Sequence, residues 1–293
     1  MNSDSHRLLI FGCGFLGSRV AALWRDRGGS VSAVTRQADK AARLAAQGIE
    51  PVLADLMHPA TLTALPSVSR VLYCVGHDRS SPWSKESVYM EGLTHVLDAL
   101  QGRFDRFVYV SSSSVYGQDD GSWVDESSTT EPTTEGGRIC LAAEQRLRER
   151  SESATILRLS GLYGPDRLLA RIEQLQAGEP IGGNPDAWLN LIHGDDAARA
   201  GVAVLSAPAP GRLYLVSDDR PITRREYFTE LAKRVNAPPP QFSREPTSRS
   251  TSEGLNKRCR NDKLKRELPL EWLYADISQG LRSQSPDTSP LAR

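Results

Sequence analysis

A short apolar run, RLLIF at 7–11, feeds directly into GCGFLG at 12–17, after which Leu16, Val20, Leu23 and Trp24 recur on one helical face. Strand, glycine turn and helix in that order leave few architectures open. Gly12, Gly14 and Gly17 complete G-x-G-x-x-G in the setting where the pattern carries information. The first glycine permits a tight turn, the second lets backbone approach a pyrophosphate, and the third lets the helix pack closely on the strand. Free N–H groups and the positive end of the helix dipole then favour phosphate at the start of that helix. Phe15 and Leu16 belong to the same turn, so residues 12 and 14–17 are the expected core of a dinucleotide site.

The rhythm continues beyond this unit. Apolar strand patterns at 31–35, 51–54, 71–75, 107–110 and 155–159 alternate with helical patterns at 38–47, 85–100 and 138–150. Such repetition predicts an α/β protein with a Rossmann-type, doubly wound parallel sheet covered by helices on both faces. After Gly164-Pro165 the pattern loosens into helices at 167–176, 195–205 and 224–235 and a strand at 213–216, expected to build a smaller C-terminal substrate lobe. The expected division is 1–165 for the dinucleotide-binding domain, with helix 195–206 packing back on it, 166–282 for the smaller lobe, and 283–293 as a flexible tail.

Charge and composition narrow the partners. The 293 residues carry 36 basic and 36 acidic side chains, so no general field draws nucleic acid or an anionic membrane, and neither is expected as a partner. No apolar run approaches the roughly 20 residues of a membrane span, and the run at 8–11 is too short for a signal-peptide core, which points to a cytoplasmic protein. Cys13, Cys74, Cys140 and Cys259 lie far apart without a C-x-x-C pair; they read as reduced thiols, and no metal site is expected.

The end of the second strand decides which dinucleotide fits. An acidic residue there would bind the 2′-hydroxyl of NAD, but the sequence reads Val34-Thr35-Arg36-Gln37. A guanidinium suits a 2′-phosphate, so NADP is the preferred cofactor, with NAD left open. Asp55, after the third strand, is a candidate hydrogen-bond acceptor for the adenine amino group, and equally an ordinary turn carboxylate. Val75 and Gly76 close the fourth strand at the same edge, followed by His77 and Asp78, where ribose or substrate contacts are expected.

GCGFLG at 12–17, VYVSSSSVYG at 108–117, LRLSGLYGP at 157–165 and LIHGDDAARA at 191–200 together resemble the extended short-chain dehydrogenase/reductase superfamily, of the NAD(P)-dependent epimerase/dehydratase type. The stretch 216–240 looks most like its atypical, YeeZ-like branch. The resemblance implies an oxidoreductase or epimerase/dehydratase acting on a small molecule such as a nucleotide sugar or carbonyl compound, and it is compatible with a homodimer. It also implies a Ser/Thr that orients the substrate oxygen, matched by Ser112, and a Tyr-x-x-x-Lys pair that runs the proton chemistry.

At that pair the chain departs from the pattern. Where relatives read Y-x-x-x-K-L-A-A-E, this sequence has Gly136 for the tyrosine and Cys140 for the lysine, in GRICLAAE at 137–144. Glycine has no side-chain proton, and a thiol with a free pKa near about 8.5 supplies no fixed positive charge. Tyr89 stands where the superfamily has an active-site asparagine, three residues before Gly92, and is a candidate phenol donor. Tyr116, Tyr163 and His193 are further candidates, each better explained as packing or capping. Trp83, Trp123 and Trp188 are candidates to line a substrate pocket. The segment 249–266 holds seven basic residues against two acidic and reads either as a grip for a phosphorylated substrate or as a solvated loop. Two functions follow: an NADP(H)-dependent enzyme with altered acid/base chemistry, or a non-catalytic NADPH-binding sensor or scaffold.

Overall fold

The computed structural model describes residues 6–101, 103–165, 167, 169–243 and 255–282. Strands β1 (Arg7–Phe11), β2 (Ser30–Thr35), β3 (Glu50–Leu53), β4 (Arg70–Tyr73), β5 (Arg106–Ser112), β6 (Thr155–Leu159) and β7 (Leu213–Val216) form one seven-stranded sheet in the order β3-β2-β1-β4-β5-β6-β7. Every pairing in it is parallel. The chain winds outward from β1 to β3, then returns to the other side of β1 for β4. That reversal opens a crevice beyond the carboxyl ends of β1 and β4, the place where such sheets bind ligands.

The central strands are largely apolar because helices cover both faces, and alternation decides which layer each residue meets. Leu8 and Ile10 join Leu16, Val20 and Trp24 of α1 (Phe15–Asp26) and Ala198, Val202 and Leu205 of a helix at Gly194–Ser206. Leu9 and Phe11 point the other way, to Leu93, Val96 and Leu97 of one helix (Lys85–Ala99) and Ala143 and Leu147 of another (Glu135–Arg150). In chain order the helices are α1, α2 (Ala38–Ala46), α3 (Lys85–Ala99), α4 (Glu135–Arg150), α5 (Leu169–Gln176), α6 (Gly194–Ser206), α7 (Arg224–Arg234), α8 (Asp262–Glu267) and α9 (Ile277–Arg282). Helix α6 packs on α1.

One expectation changes. Leu213–Val216, assigned from the sequence to the smaller lobe, is instead the seventh strand of the main sheet, paired in parallel with β6. Its hydrophobic run fits either setting, and only the tertiary pairing distinguishes them. Apart from it, Leu175, Ile181, Leu191, Ile222, Phe228, Leu231 and Leu281 form a separate core for the later segments. The described part of the basic stretch staples that region to the first half. Buried Lys257 donates to the Tyr116 carbonyl and Arg258 to the Gly121 carbonyl, both at 2.8 Å, while Lys265 pairs within the later half with Asp219 at 2.6 Å. These cations hold the protein together rather than gripping a substrate; 249–254 and the tail 283–293 lie outside the described residues.

Candidate active site

A cleft of about 510 Å³ runs along the carboxyl edge of the sheet, from the end of β2 across β1 and β4 to the end of β5. The three glycines do separate jobs in it. Gly12 has φ +90°, and a Cβ there would fall 2.5 Å from the Cys74 carbonyl oxygen, so only glycine fits this turn. A Cβ on Gly17 would meet the Gly12 carbonyl at 2.6 Å, which keeps α1 tight against β1. At Gly14, by contrast, nothing lies within 4 Å, so its backbone opens onto the cleft. The Gly14 N–H donates to the Gly12 carbonyl at 2.8 Å, and the Cys74 thiol donates to the same oxygen at 3.2 Å. No acidic residue occupies the first turn of α1, leaving its positive end for an anion.

All the expected cofactor residues line this cleft except Gly17, which packs behind it: Phe15 and Leu16 at the turn, Arg36 and Asp55 at one end, Val75 and Gly76 at the centre. Arg36 pairs with Asp78 at 2.6 Å. Asp55 accepts the Met57 N–H at 2.9 Å and lies 3.2 Å from a ring nitrogen of His58, so its carboxylate also shapes its own turn. Two cations escaped the sequence reading. Lys40 lies in the first turn of α2 and Arg36 just before that helix; both line the cleft, but with Arg36 outside the helix no helical spacing links them. Arg167 rests its guanidinium 4.8 Å from the Phe15 ring centre, opposite Arg19 at 3.9 Å, through a tertiary contact with no local signal. An open cradle at Gly14 with cations at Arg36, Lys40 and Arg167 fits a dinucleotide's phosphates in donor set and charge.

At the other end Ser112, Tyr89 and Cys140 line the cleft together. The Ser112 hydroxyl accepts the Ser114 N–H at 3.1 Å, which turns the chain and leaves its own proton free to donate. Its neighbour Ser111 points the opposite way and donates to Glu144 at 2.6 Å. Burial pushes the Tyr89 phenol above its ordinary range, the Cys140 thiol adds to that, and a backbone hydrogen bond from His77 opposes it. Cys140 is likewise pushed up by burial, against the pull of the Lys85 ammonium and the Ser114 hydroxyl. Both groups keep their protons at neutral pH, so Cys140 offers a thiol and not a nucleophilic thiolate.

Lys85 was missed from the sequence. A Cβ on Gly136 would lie 2.8 Å from Lys85 Nζ, and the same ammonium stands 5.4 Å from the centre of the Tyr89 ring. The space beside a side-chain-free position on α4 therefore receives a cation from the first turn of α3. The i, i+4 relation of Lys85 and Tyr89 was visible, but the approach of α3 to α4 was not.

The remaining candidates do not enter the cleft. Tyr116 is fully buried, accepts from Arg158 at 2.8 Å, and is pushed by burial up to about 12. Tyr163 is fully buried and donates to the Asp276 carbonyl at 3.4 Å. His193 caps α6, its Nδ1 accepting the Asp195 N–H at 3.2 Å. Trp123 and Trp188 flank Arg258, at 4.9 and 5.2 Å, and Trp83 packs edge-on to His58. Helix α4 itself is firmly anchored: buried Glu144 accepts from Arg158 at 2.6 and 2.9 Å as well as from Ser111. Among the described residues no group of three or more His, Cys, Asp or Glu side chains could hold a metal, and no helix is long and apolar enough to cross a membrane.

The sequence profile of the NAD dependent epimerase/dehydratase family matches residues 8–216, which takes in the whole sheet apart from the first residue of β1. The chain belongs to this family. Protein YeeZ of Escherichia coli strain K12 is 30% identical over 282 residues, covering 92% of this chain and 97% of its own. The 3-diazoavenalumate denitrifying reductase of a Streptomyces species is 26% identical over 261 residues, 80% of this chain and 83% of its own. The UDP-glucose 4-epimerase of Thermus thermophilus, solved in complex with NAD, superposes with a TM-score of 0.78 at 19% identity, covering 94% of this chain and 96% of that one. The last likeness is one of fold. Family membership and the cleft together establish an NAD(P)-binding, oxidoreductase or epimerase/dehydratase type of fold.

Proposed function

We propose that this family member is an NADP(H)-dependent oxidoreductase or epimerase/dehydratase-type enzyme whose proton chemistry has moved off α4. The observation that carries the reading is the continuity of one cleft from Arg36 to Ser112 and Tyr89. Free backbone N–H groups in the first turn of α1, from Phe15 to Gly17, would hold the pyrophosphate, Arg36 and Lys40 a 2′-phosphate, and Asp55 the adenine edge. Bound there, the nicotinamide would supply the redox chemistry by exchanging a hydride with a substrate carbon.

The protein's own part is to orient the substrate oxygen and move its proton. Ser112 and Tyr89 present two neutral hydroxyls to the same end of the cleft, and two hydrogen bonds to a developing alkoxide stabilise it more than the parent carbonyl. Lys85 supplies positive charge beside them, in place of the lysine lost at Cys140. Residues 166–282, apart from α6 and β7, form the substrate lobe in this reading. Its substrate is a small carbonyl compound or nucleotide sugar, consistent with the reductase and epimerase names among its relatives.

Calorimetric titration with NADPH and NADH tests the cofactor half. NADPH is expected to bind more tightly, and Arg36→Ala to weaken it about tenfold, the loss of a charge-assisted phosphate contact, with NADH little changed. Gly136 and Cys140 specifically favour a second reading, an NADPH-binding sensor without catalysis. Gly136→Tyr with Cys140→Lys separates the two on a carbonyl panel; the new tyrosine would displace only the flexible end of Lys85. Reduction by the wild type that falls with Tyr89→Phe supports the enzyme. An inert wild type and an inert restored variant, both binding NADPH, support the sensor.

A further inference from the structure

The second strand lacks the carboxylate that would bind a ribose diol, yet a carboxylate stands beside Arg36 all the same. It comes from Asp78, after β4, whose Oδ2 meets the Arg36 guanidinium at 2.6 Å. Strands β2 and β4 flank β1, so this ion pair reaches across the sheet edge on which the glycine turn sits, a span of roughly 10 Å at two strand spacings. Both residues line the cleft.

The loop at 78–81 fixes the carboxylate. Asp78 Oδ1 accepts the Ser80 N–H at 3.0 Å and its hydroxyl at 2.7 Å, which leaves Oδ2 for Arg36. Those Ser80 hydrogen bonds, with Arg36 and His77 adding to them, hold the carboxyl below the usual range, so it is charged at neutral pH. The pair is nevertheless solvent-accessible, with side chains 38% and 46% exposed, and ion pairs of that kind contribute little on their own. It is therefore exchangeable: a 2′-phosphate offers Arg36 a doubly charged partner and better fork geometry than one carboxylate oxygen.

We propose that Asp78 sets the discrimination between NADP and NAD in this chain, competing with the 2′-phosphate for Arg36 and accepting from the free ribose hydroxyls of NAD. The inference rests on the proposed dinucleotide site and deepens it. With Arg36 alone at the end of β2, the chain would select NADP strongly. With Asp78 returned to the same spot by the tertiary fold, selection is held down and NAD keeps a hydrogen-bond acceptor. Lys40 adds charge on the phosphate side, without a carboxylate partner among the described residues.

Asp78→Asn isolates the charge, since an amide keeps an oxygen for both Ser80 hydrogen bonds. Calorimetry on the full chain with 2′,5′-ADP and 5′-AMP reads the adenosine end alone, and NADPH and NADH read the whole site. Asp78→Asn is expected to tighten 2′,5′-ADP and NADPH about fivefold, the scale of one exposed charge interaction, and to leave 5′-AMP and NADH unchanged or weaker. In the Arg36→Ala background the gain should shrink to the residual relief of repulsion. A wild type that binds NADPH while Asp78→Asn leaves the NADPH to NADH ratio within twofold overturns the role of Asp78 and spares the cofactor site. A folded wild type that binds none of the four ligands at millimolar concentration removes the site and the role together.

Discussion

The two ends of the cleft have been treated differently. At the end beside β1 and β2, a Cβ on Gly12 or Gly17 would meet backbone while Gly14 is open, and Arg36, Lys40 and Arg167 line the cleft. At the other end Glu144 locks α4 to β6 through Arg158, while Gly136 and Cys140 bring neither phenol nor ammonium. Anchoring a helix and arming it are thus separable. The first depends on a buried charge network behind the helix, the second on which side chains positions 136 and 140 carry.

The largest expected effect tests that separation. Glu144→Ala leaves the buried Arg158 guanidinium without its carboxylate and should cost about 3–5 kcal/mol in denaturant unfolding, the range for breaking a buried pair. A loss below about 1 kcal/mol would mean that α4 is held by apolar packing alone. Next comes the intact end. Gly12→Val combines a φ of +90° with a Cβ 2.5 Å from the Cys74 carbonyl, so we expect a loss of about 2 kcal/mol or more and no measurable NADPH binding. Retained binding would place the phosphates somewhere other than this turn.

Lys85→Met probes the altered end. Removing the ammonium that draws the Cys140 thiol downward should raise that pKa and slow Cys140 alkylation by iodoacetamide near pH 8, read by mass spectrometry. NADPH affinity should stay within about twofold, because Lys85 does not line the cleft. A large loss of NADPH affinity would show that Lys85 belongs to the cofactor end, and the contrast between the ends would blur.

The smallest effect concerns the cap beneath the cleft. Burial pushes the His193 imidazole below its ordinary 6.5, with Asp195 opposing and Arg19 adding to the shift. The folded state then binds fewer protons than the unfolded chain just below that pH. Stability from this residue is present above pH 6.5 and is lost as pH falls through the folded value. Urea midpoints at pH 7.5 and 5.5 should differ less in His193→Gln than in wild type.

Much of the molecule was legible in its sequence, because the signals were local. A strand that ends in G-x-G-x-x-G and opens a helix dictates turn, helix and anion cradle within a dozen residues, and the alternation of apolar strands with helical stripes dictates a parallel sheet. That Gly136 and Cys140 offer neither a phenol nor an ammonium was equally plain. Tertiary structure decided what those absences mean. Lys85 reaches Gly136 only because α3 and α4 pack side by side on one face of the sheet, and Asp78 reaches Arg36 only because β4 returns to the far side of β1. β7 joined the main sheet on the same ground, since a four-residue apolar run fits any parallel edge. Sequence periodicity reports what each segment buries; which charges meet across a cleft depends on strand order and helix packing, and these bring together residues about 40 to 50 positions apart.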